Sequence, residues 1–215
     1  MIDELRLAEL LCTRLCHDLT GPIGAVNNGA EFLSEEGFNL QGQAMELITS
    51  SAFTAVTRLQ FYRMTYGNVK EHGETDLSEK QKLAMDFFVG SKITLDWPDS
   101  HTDSANVSLS AKMARIICNL LLVASGALSR GGTIAVRIGH DAANLRQVTV
   151  TATGANVRRD PDMDKIFANQ LLVSELSPKN VQIYLTKRFT DELKATIVYT
   201  VSDESLVLQV SQPSS

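Results

Sequence analysis

A histidine followed directly by an aspartate is the pair of residues best suited to chemistry in this sequence. His17 stands two residues past the apolar position Leu15, which turns it about 200° around a helix and predicts that it faces solvent. A neutral imidazole has one nitrogen with a free lone pair that can attack phosphorus, while the other can donate a hydrogen bond. A carboxylate at Asp18 would hold that second nitrogen and offset positive charge on the ring during attack.

Small residues continue along the face of the helix that carries His17. Gly21 and Gly24 lie one and two turns beyond it, and Asn28 comes next. Small side chains let another backbone come close, and phosphoryl transfer depends chiefly on bringing donor and acceptor into register. Arg14, one turn earlier, could bind a phosphoryl oxygen or an acidic partner. We therefore predict a docking face formed by Arg14, Gly21, Gly24 and Asn28.

The alternative interpretation is that His17 and Asp18 form only a solvated polar pair, which is the common situation of a surface histidine. Pro22 argues against this interpretation. A proline inside a helix costs about 3 kcal/mol and weakens the helix just beyond the histidine. Such a weak point is easier to understand at a site that must bend or admit a partner.

Cys12 and Cys16 lie close enough to His17 on a helix to suggest a metal site. Structural zinc normally has four ligands, and no second pair of cysteine or histidine residues follows nearby. We therefore expect no metal site and interpret both thiols as buried small side chains. With Cys118, the three cysteines form no even disulfide set, which favours a reducing compartment.

Two segments near the start of the chain carry apolar or small residues at steps of three and four, which predicts two long helices. The first seam is Leu5, Ala8, Cys12, Leu15, Leu19, Pro22, Val26, Gly29 and Leu33; the second is Met45, Ile48, Ala52, Ala55, Leu59, Tyr62 and Tyr66. A turn at 35–39 would fold them into an antiparallel hairpin. Two hairpins packing into a four-helix bundle would remove the seams from water, so we predict a homodimer. Alternatively, the hairpin covers the remainder of its own chain.

A polar stretch at 68–75 predicts a linker between two domains. We predict a helical hairpin domain at 1–68 and an α/β sandwich at 75–215, which together make an α+β protein. In the second domain we predict helices at 76–89, 110–128, 162–176 and 178–193. We predict strands, some of them rich in β-branched residues, at 92–97, 133–139, 146–153, 196–201 and 206–210.

The composition narrows the possible partners. The formal net charge of −5 argues against nucleic-acid binding, which usually needs a concentrated basic face. The chain begins Met1-Ile2-Asp3-Glu4, which is acidic where a secretory signal would be basic, and no apolar run approaches the roughly 20 residues of a membrane span. We expect a cytoplasmic protein with protein partners and no membrane association.

The run from Arg14 to Ile23 is similar to the phospho-accepting box of sensor histidine kinases, where an acidic residue follows the histidine and a proline stands five positions after it. The chain as a whole more closely resembles the ChpT-like histidine phosphotransferases of alphaproteobacteria. That resemblance implies a dimerising helical hairpin followed by a domain like the ATPase domain of histidine kinases. It also implies that His17 is phosphorylated and that Asp18 is its hydrogen-bonding partner.

The residues that bind ATP in kinases of this architecture are eroded here. Asn119 matches the asparagine box, but Val123 stands where a second, metal-facing asparagine is expected, so Mg²⁺ would lose an oxygen ligand. Ala152 replaces the aspartate expected to bind adenine. Residues 177–180, Ser-Pro-Lys-Asn, replace a glycine-rich turn that would hold phosphates with backbone amides. We predict that the chain does not bind ATP.

These observations predict a histidine phosphotransferase that relays a phosphoryl group through His17. Its partners would be the receiver domains of a hybrid histidine kinase and of response regulators. The chain itself would bind no cofactor, and Mg²⁺ would come with the receiver domain. An ATP-dependent sensor kinase and a non-catalytic dimeric scaffold are the alternatives.

Overall fold

The structure is a computed structural model that describes residues 2–34, 41–67, 77–98, 109–140 and 145–212. The turn predicted at 35–39 and the linker predicted at 68–75 lie outside the described residues. The domain boundary placed there stays a prediction.

The N-terminal part consists of two long helices, as the periodic pattern predicts. Helix α1 covers Ile2–Ser34 and helix α2 covers Gln41–Tyr66. A side chain at Gly29 of α1 would meet Ile48 Cγ1 at 2.7 Å and the Ala44 carbonyl oxygen at 3.2 Å, so the two backbones approach closely there.

The helices run antiparallel. Asp18 of α1 contacts Arg58 and Tyr62 near the end of α2, whereas Gly29 contacts residues near its start. The helical hairpin is therefore confirmed within the described residues, while its pairing with a second copy stays a prediction.

At the start of α1, the predicted seam is not the face that packs against the rest of this chain. Leu5, Ala8 and Cys12 are exposed, and the buried position is Leu10, with Leu7 and its neighbours partly buried beside it. The physical reason is that this part of α1 lies against the second domain of the same chain, which turns a different face inward.

Two hydrogen bonds mark that contact. The Arg6 Nη2 group donates to the Leu176 carbonyl at 3.4 Å, and the Arg14 Nη1 group donates to the Pro178 carbonyl at 3.4 Å. The interpretation of Cys12 and Cys16 as buried thiols is also wrong, because both are exposed on this helix.

Within its described residues, the second domain has four α-helices, one short 3-10 helix and a five-stranded sheet. In chain order they are α3 (Leu77–Phe88), β1 (Ile93–Asp96), α4 (Ala111–Ala127), β2 (Gly132–His140), β3 (Arg146–Thr153), α5 (Met163–Phe167), a short 3-10 helix (Val173–Glu175), α6 (Val181–Glu192), β4 (Thr196–Val201) and β5 (Ser205–Gln212). The strand order is β1-β2-β3-β5-β4; β1 and β2 are parallel and the other pairs antiparallel. The mixed sheet and the α+β class are confirmed.

Helix α4 is the centre of this domain. Ser110 begins it, because its side chain accepts a hydrogen bond from the Met113 amide. Most of the helix is buried between the sheet on one side and α2 and α6 on the other. The side chains at Val148, Val150 and Ala152 on β3 alternate toward it and are fully buried.

The helix predicted at 162–176 is wrong in length. Helix α5 ends at Phe167, and only Val173–Glu175 returns to a helical turn. Asn169 adopts a left-handed conformation with φ of 56°, which an α-helix cannot continue through and which asparagine tolerates better than most residues.

Within the described ranges, no helix is both long enough and apolar enough to cross a membrane.

Candidate functional site

The His17 side chain projects from the middle of α1 and is 87% exposed. This position confirms the orientation predicted from its spacing to Leu15. The ring is open to a large approaching molecule.

Asp18 holds one nitrogen of this ring. Its Oδ1 atom lies 3.2 Å from His17 Nδ1, and its Oδ2 atom accepts a hydrogen bond from the Tyr62 hydroxyl at 2.5 Å. An ionised carboxylate can only accept, so His17 Nδ1 must carry the hydrogen. In a neutral ring with its hydrogen on Nδ1, the lone pair is on Nε2.

Tyr62 lies on α2 and is buried. Burial raises the pKa of its hydroxyl well above the ordinary 10.0, and the hydrogen bond and negative charge of Asp18 raise it further. The hydroxyl therefore stays protonated at neutral pH and donates to Asp18. Tyr66 and Phe87 pack against the ring, with centroids 5.9 and 6.0 Å away, and restrict its movement.

Pro22 lies within α1 and creates a gap in its hydrogen bonds. Proline has no backbone N–H, so the carbonyl of Asp18, four residues earlier, lacks its helical donor. The Arg58 Nη1 group of α2 donates to this carbonyl at 2.5 Å. Arg58 and Tyr62, one turn apart on α2, thus hold the backbone and the side chain of the same residue.

The sequence interpretation missed Arg58 and placed Tyr62 in an apolar seam. The missing N–H of Pro22 was the available signal, because it predicts that the Asp18 carbonyl needs another donor. Which residue of α2 supplies that donor depends on the rotation of the two helices against each other, and spacing along α2 alone does not give it.

The predicted docking residues beyond His17 lie on open surface. A Cβ at Gly21 or Gly24 would meet nothing within 4 Å beyond the adjacent residues and the nearby backbone of α1, and Asn28 is exposed. These three positions therefore share an accessible face with the histidine. Their role in docking stays a prediction.

Arg14 points elsewhere. Its guanidinium contacts the Pro178 carbonyl of the second domain, and its positive charge opposes the effect of burial, which raises the pKa of Tyr66 to about 12. This side chain is engaged inside the chain, so the docking role predicted for Arg14 receives no support from the geometry.

The asparagine-box residue of the second domain is committed to internal hydrogen bonds. Asn119 is fully buried; its amide donates to the Thr65 carbonyl at 3.2 Å and to the Arg115 carbonyl at 2.8 Å. Its Oδ1 atom accepts from Gln182 Nε2 at 2.8 Å, and Gln182 in turn accepts from the Tyr66 hydroxyl. The hairpin and α6 thus occupy the surroundings of this amide.

The neighbouring box positions offer hydrocarbon only. Val123 and Ala152 are both buried in the core. Neither supplies an oxygen to Mg²⁺ nor a carboxylate to adenine. Across the part of the chain that the structure describes, no group of three or more histidine, cysteine, aspartate or glutamate side chains is arranged to hold a metal ion. The residues present do not fit a nucleotide with its magnesium.

Comparisons with known proteins agree with this geometry. Residues 77–205 match the family model described as "Histidine phosphotransferase C-terminal domain". The chain is 34% identical over 205 residues to the protein phosphotransferase ChpT of Brucella abortus (strain 2308), with 94% of each chain covered. It is also similar to a bacterial phosphotransferase solved at 1.7 Å, with a TM-score of 0.78, 32% identity and 96% of each chain covered.

A more distant likeness connects the chain to the Acinetobacter baumannii histidine kinase AdeS, at 12% identity and a TM-score of 0.47 over 92% of this chain and 97% of that one. This likeness is too weak to bear on function. Two other findings do not depend on this likeness. They are the family match over most of the second domain and the 34% identity over nearly the whole chain. The chain therefore belongs to the histidine phosphotransferase family and is a ChpT-like member of it.

Proposed function

We propose that this chain relays a phosphoryl group between receiver-domain aspartates through a phosphohistidine at His17, without binding ATP. The single observation that supports this most is the arrangement of His17, Asp18 and Tyr62. It leaves Nε2 of an exposed ring as a nucleophile while Nδ1 is held by a carboxylate.

The transfer needs no proton from outside the site. The Nε2 lone pair forms a bond to phosphorus while the bond from phosphorus to the receiver's aspartate oxygen breaks, and that aspartate leaves as a carboxylate. The ring then carries a positive charge, which Asp18 offsets through the Nδ1 hydrogen. The reverse attack by a second receiver's carboxylate restores the neutral ring. Mg²⁺ held by the receiver would neutralise the phosphoryl oxygens.

Two features support the absence of ATP binding. The Asn119 amide is fully engaged with Thr65, Arg115 and Gln182, and the positions expected to contact magnesium and adenine carry Val123 and Ala152. ATP binding would require breaking this buried network and placing a charged group against hydrocarbon, both of which are costly.

Exposed apolar side chains on the hairpin support the homodimer. They include Leu5, Ile23, Met45, Phe53, Val56 and Leu59, each between 47% and 64% exposed. The four on α2 lie within about 120° of one another around the helix. A second hairpin would cover this stripe, whereas the same chain's second domain contacts another face.

We place the relay in the cytoplasm. Cys12 and Cys16 are exposed free thiols, which persist in a reducing compartment. The proposed partners are the receiver domains of a hybrid histidine kinase and of response regulators.

The test is transfer from a receiver domain carrying labelled phosphate. The wild-type chain should gain acid-labile label, because phosphohistidine is lost in acid. His17→Ala should gain none, and His140→Ala, which removes another exposed histidine, should be labelled like the wild type. Acid-stable label, or label on His17→Ala, would contradict the proposal. Label gained from ATP alone would favour the kinase.

A further inference from the structure

We propose that Tyr62 and Arg58 are positioning residues that fix the tautomer of His17 by holding Asp18 from the neighbouring helix. This role rests on the proposed function, because the tautomer matters for transfer only if His17 is the nucleophile.

The first reason is geometric. Adjacent residues on a helix point about 100° apart and do not ordinarily face each other. Asp18 is nevertheless placed with Oδ1 3.2 Å from His17 Nδ1, although a free carboxylate at this position could turn into solvent. The Tyr62 hydroxyl holds the other carboxylate oxygen at 2.5 Å, so one oxygen remains aimed at the ring.

The second reason is the backbone gap left by Pro22. An unsatisfied carbonyl tilts outward and bends the helix, which would move the Cα–Cβ bonds of His17 and Asp18. The Arg58 guanidinium donates to the Asp18 carbonyl and closes this gap. The proline and the arginine therefore act as a pair: one frees the carbonyl and the other fixes it.

The third reason is that Tyr62 is suited to be a permanent donor. It is buried, packed between aromatic rings, and protonated at neutral pH. A hydrogen bond from a rigid, neutral donor to a carboxylate holds the carboxylate's direction without removing its negative charge, so Asp18 can still offset the charge on the ring.

The consequence of losing either donor follows directly. Asp18 would sample other rotamers, and the imidazole hydrogen would redistribute to Nε2 for part of the time. A protonated Nε2 has no lone pair to attack phosphorus. We expect Tyr62→Phe to slow transfer from a phosphorylated receiver about tenfold, the scale of one lost hydrogen bond to a charged group.

The experiment measures the tautomer directly. In protein with ¹⁵N-labelled histidine, long-range ¹H–¹⁵N spectra distinguish a protonated ring nitrogen from an unprotonated one. Among the four histidines of the chain, the His17 signals are the ones that disappear in His17→Ala. In the wild type we expect a protonated Nδ1 and an unprotonated Nε2 at His17. In Tyr62→Phe and Arg58→Gln we expect a mixture, and Arg58→Lys should recover part of the wild-type spectrum.

Tyr66→Phe is the matched control. It removes a hydroxyl one turn further along α2 whose hydrogen bond goes to Gln182 and not to Asp18. It should leave the His17 tautomer unchanged even if it lowers stability. Helix content measured by circular dichroism shows that each variant is folded.

The outcomes separate this proposal from the proposed function. An unchanged tautomer and an unchanged transfer rate in Tyr62→Phe would overturn the positioning role while His17→Ala still abolished labelling. A mixed tautomer already present in the wild type would overturn it as well. Failure of the wild type to take label would instead overturn the relay, and the tautomer comparison would still decide whether Tyr62 positions the ring.

Discussion

The Tyr66 hydroxyl at the end of the hairpin donates a hydrogen bond to Gln182 at the start of α6. Gln182 continues this link to Asn119, whose amide returns to the Thr65 carbonyl of α2. The Asn119 side chain matches an asparagine that would face nucleotide in a kinase. In this chain it joins the hairpin to the second domain. The second domain is thereby held beside the hairpin and away from the face of His17.

Breaking this network should destabilise the whole chain. Gln182→Ala leaves the Tyr66 hydroxyl and Asn119 Oδ1 without their buried partner, and we expect the free energy of unfolding to fall by about 1–3 kcal/mol. Urea denaturation followed by circular dichroism measures it. Gln170→Ala, an exposed change in the second domain and away from α2, should alter it by less than about 0.5 kcal/mol. Equal effects of the two substitutions would contradict a structural role for the network.

The stability of the protein should also fall at alkaline pH. The pKa of Tyr66 rises from 10.0 when exposed to about 12 in the folded chain, chiefly through burial. A raised pKa means that the neutral hydroxyl is favoured by folding. This contribution is complete below pH 10 and is lost as the pH rises toward 12.

Unfolding measured by denaturant at a series of pH values across this window tests the sign. Tyr66→Phe has no hydroxyl to ionise, so its free energy of unfolding should decline less steeply than that of the wild type. Identical slopes for the two proteins would show that Tyr66 does not titrate with a raised pKa.

Nucleotide should not bind. Titration with a fluorescent ATP analogue and Mg²⁺ should give no saturable signal, since Asn119 is engaged and Val123 supplies no oxygen. A histidine kinase catalytic domain in the same buffer serves as the positive control. Saturable binding that unlabelled ATP displaces would contradict the account of the second domain and favour the kinase alternative.

The oligomeric state should depend on the exposed stripe of α2. Phe53→Glu combined with Leu59→Glu places two charges in the proposed bundle and should convert a dimer to a monomer in sedimentation experiments. Val198→Glu, at a similarly exposed apolar position on β4, should leave the dimer intact. A wild-type chain that sediments as a monomer would contradict the predicted dimeric four-helix bundle.

The sequence predicts some elements closely because their pattern is local. Strand β3 matches its predicted bounds, since it is rich in β-branched residues, and β4 matches its own as well. The exposure of His17 follows from its angle to Leu15. Helix α5 is overestimated because one left-handed residue, Asn169, ends it without a glycine or proline to mark the position.

Features that depend on contacts between distant segments are not predicted. Leu10 is buried outside the predicted seam because α1 packs on the second domain, and no local period indicates this. Arg58 and Tyr62 reach Asp18 across the hairpin for the same reason. The proposed catalytic pair, His17 and Asp18, is therefore visible in the sequence, while the residues that hold it require the structure.

The central claim is that Nε2 of His17 carries the phosphoryl group. Phosphorus NMR of the chain after transfer from a phosphorylated receiver tests it most directly, because the two ring positions and an acyl phosphate give different resonances. We expect a single resonance of Nε2-phosphohistidine that is absent from His17→Ala. A resonance of Nδ1-phosphohistidine, of an acyl phosphate or of a phosphate ester on this chain would contradict it.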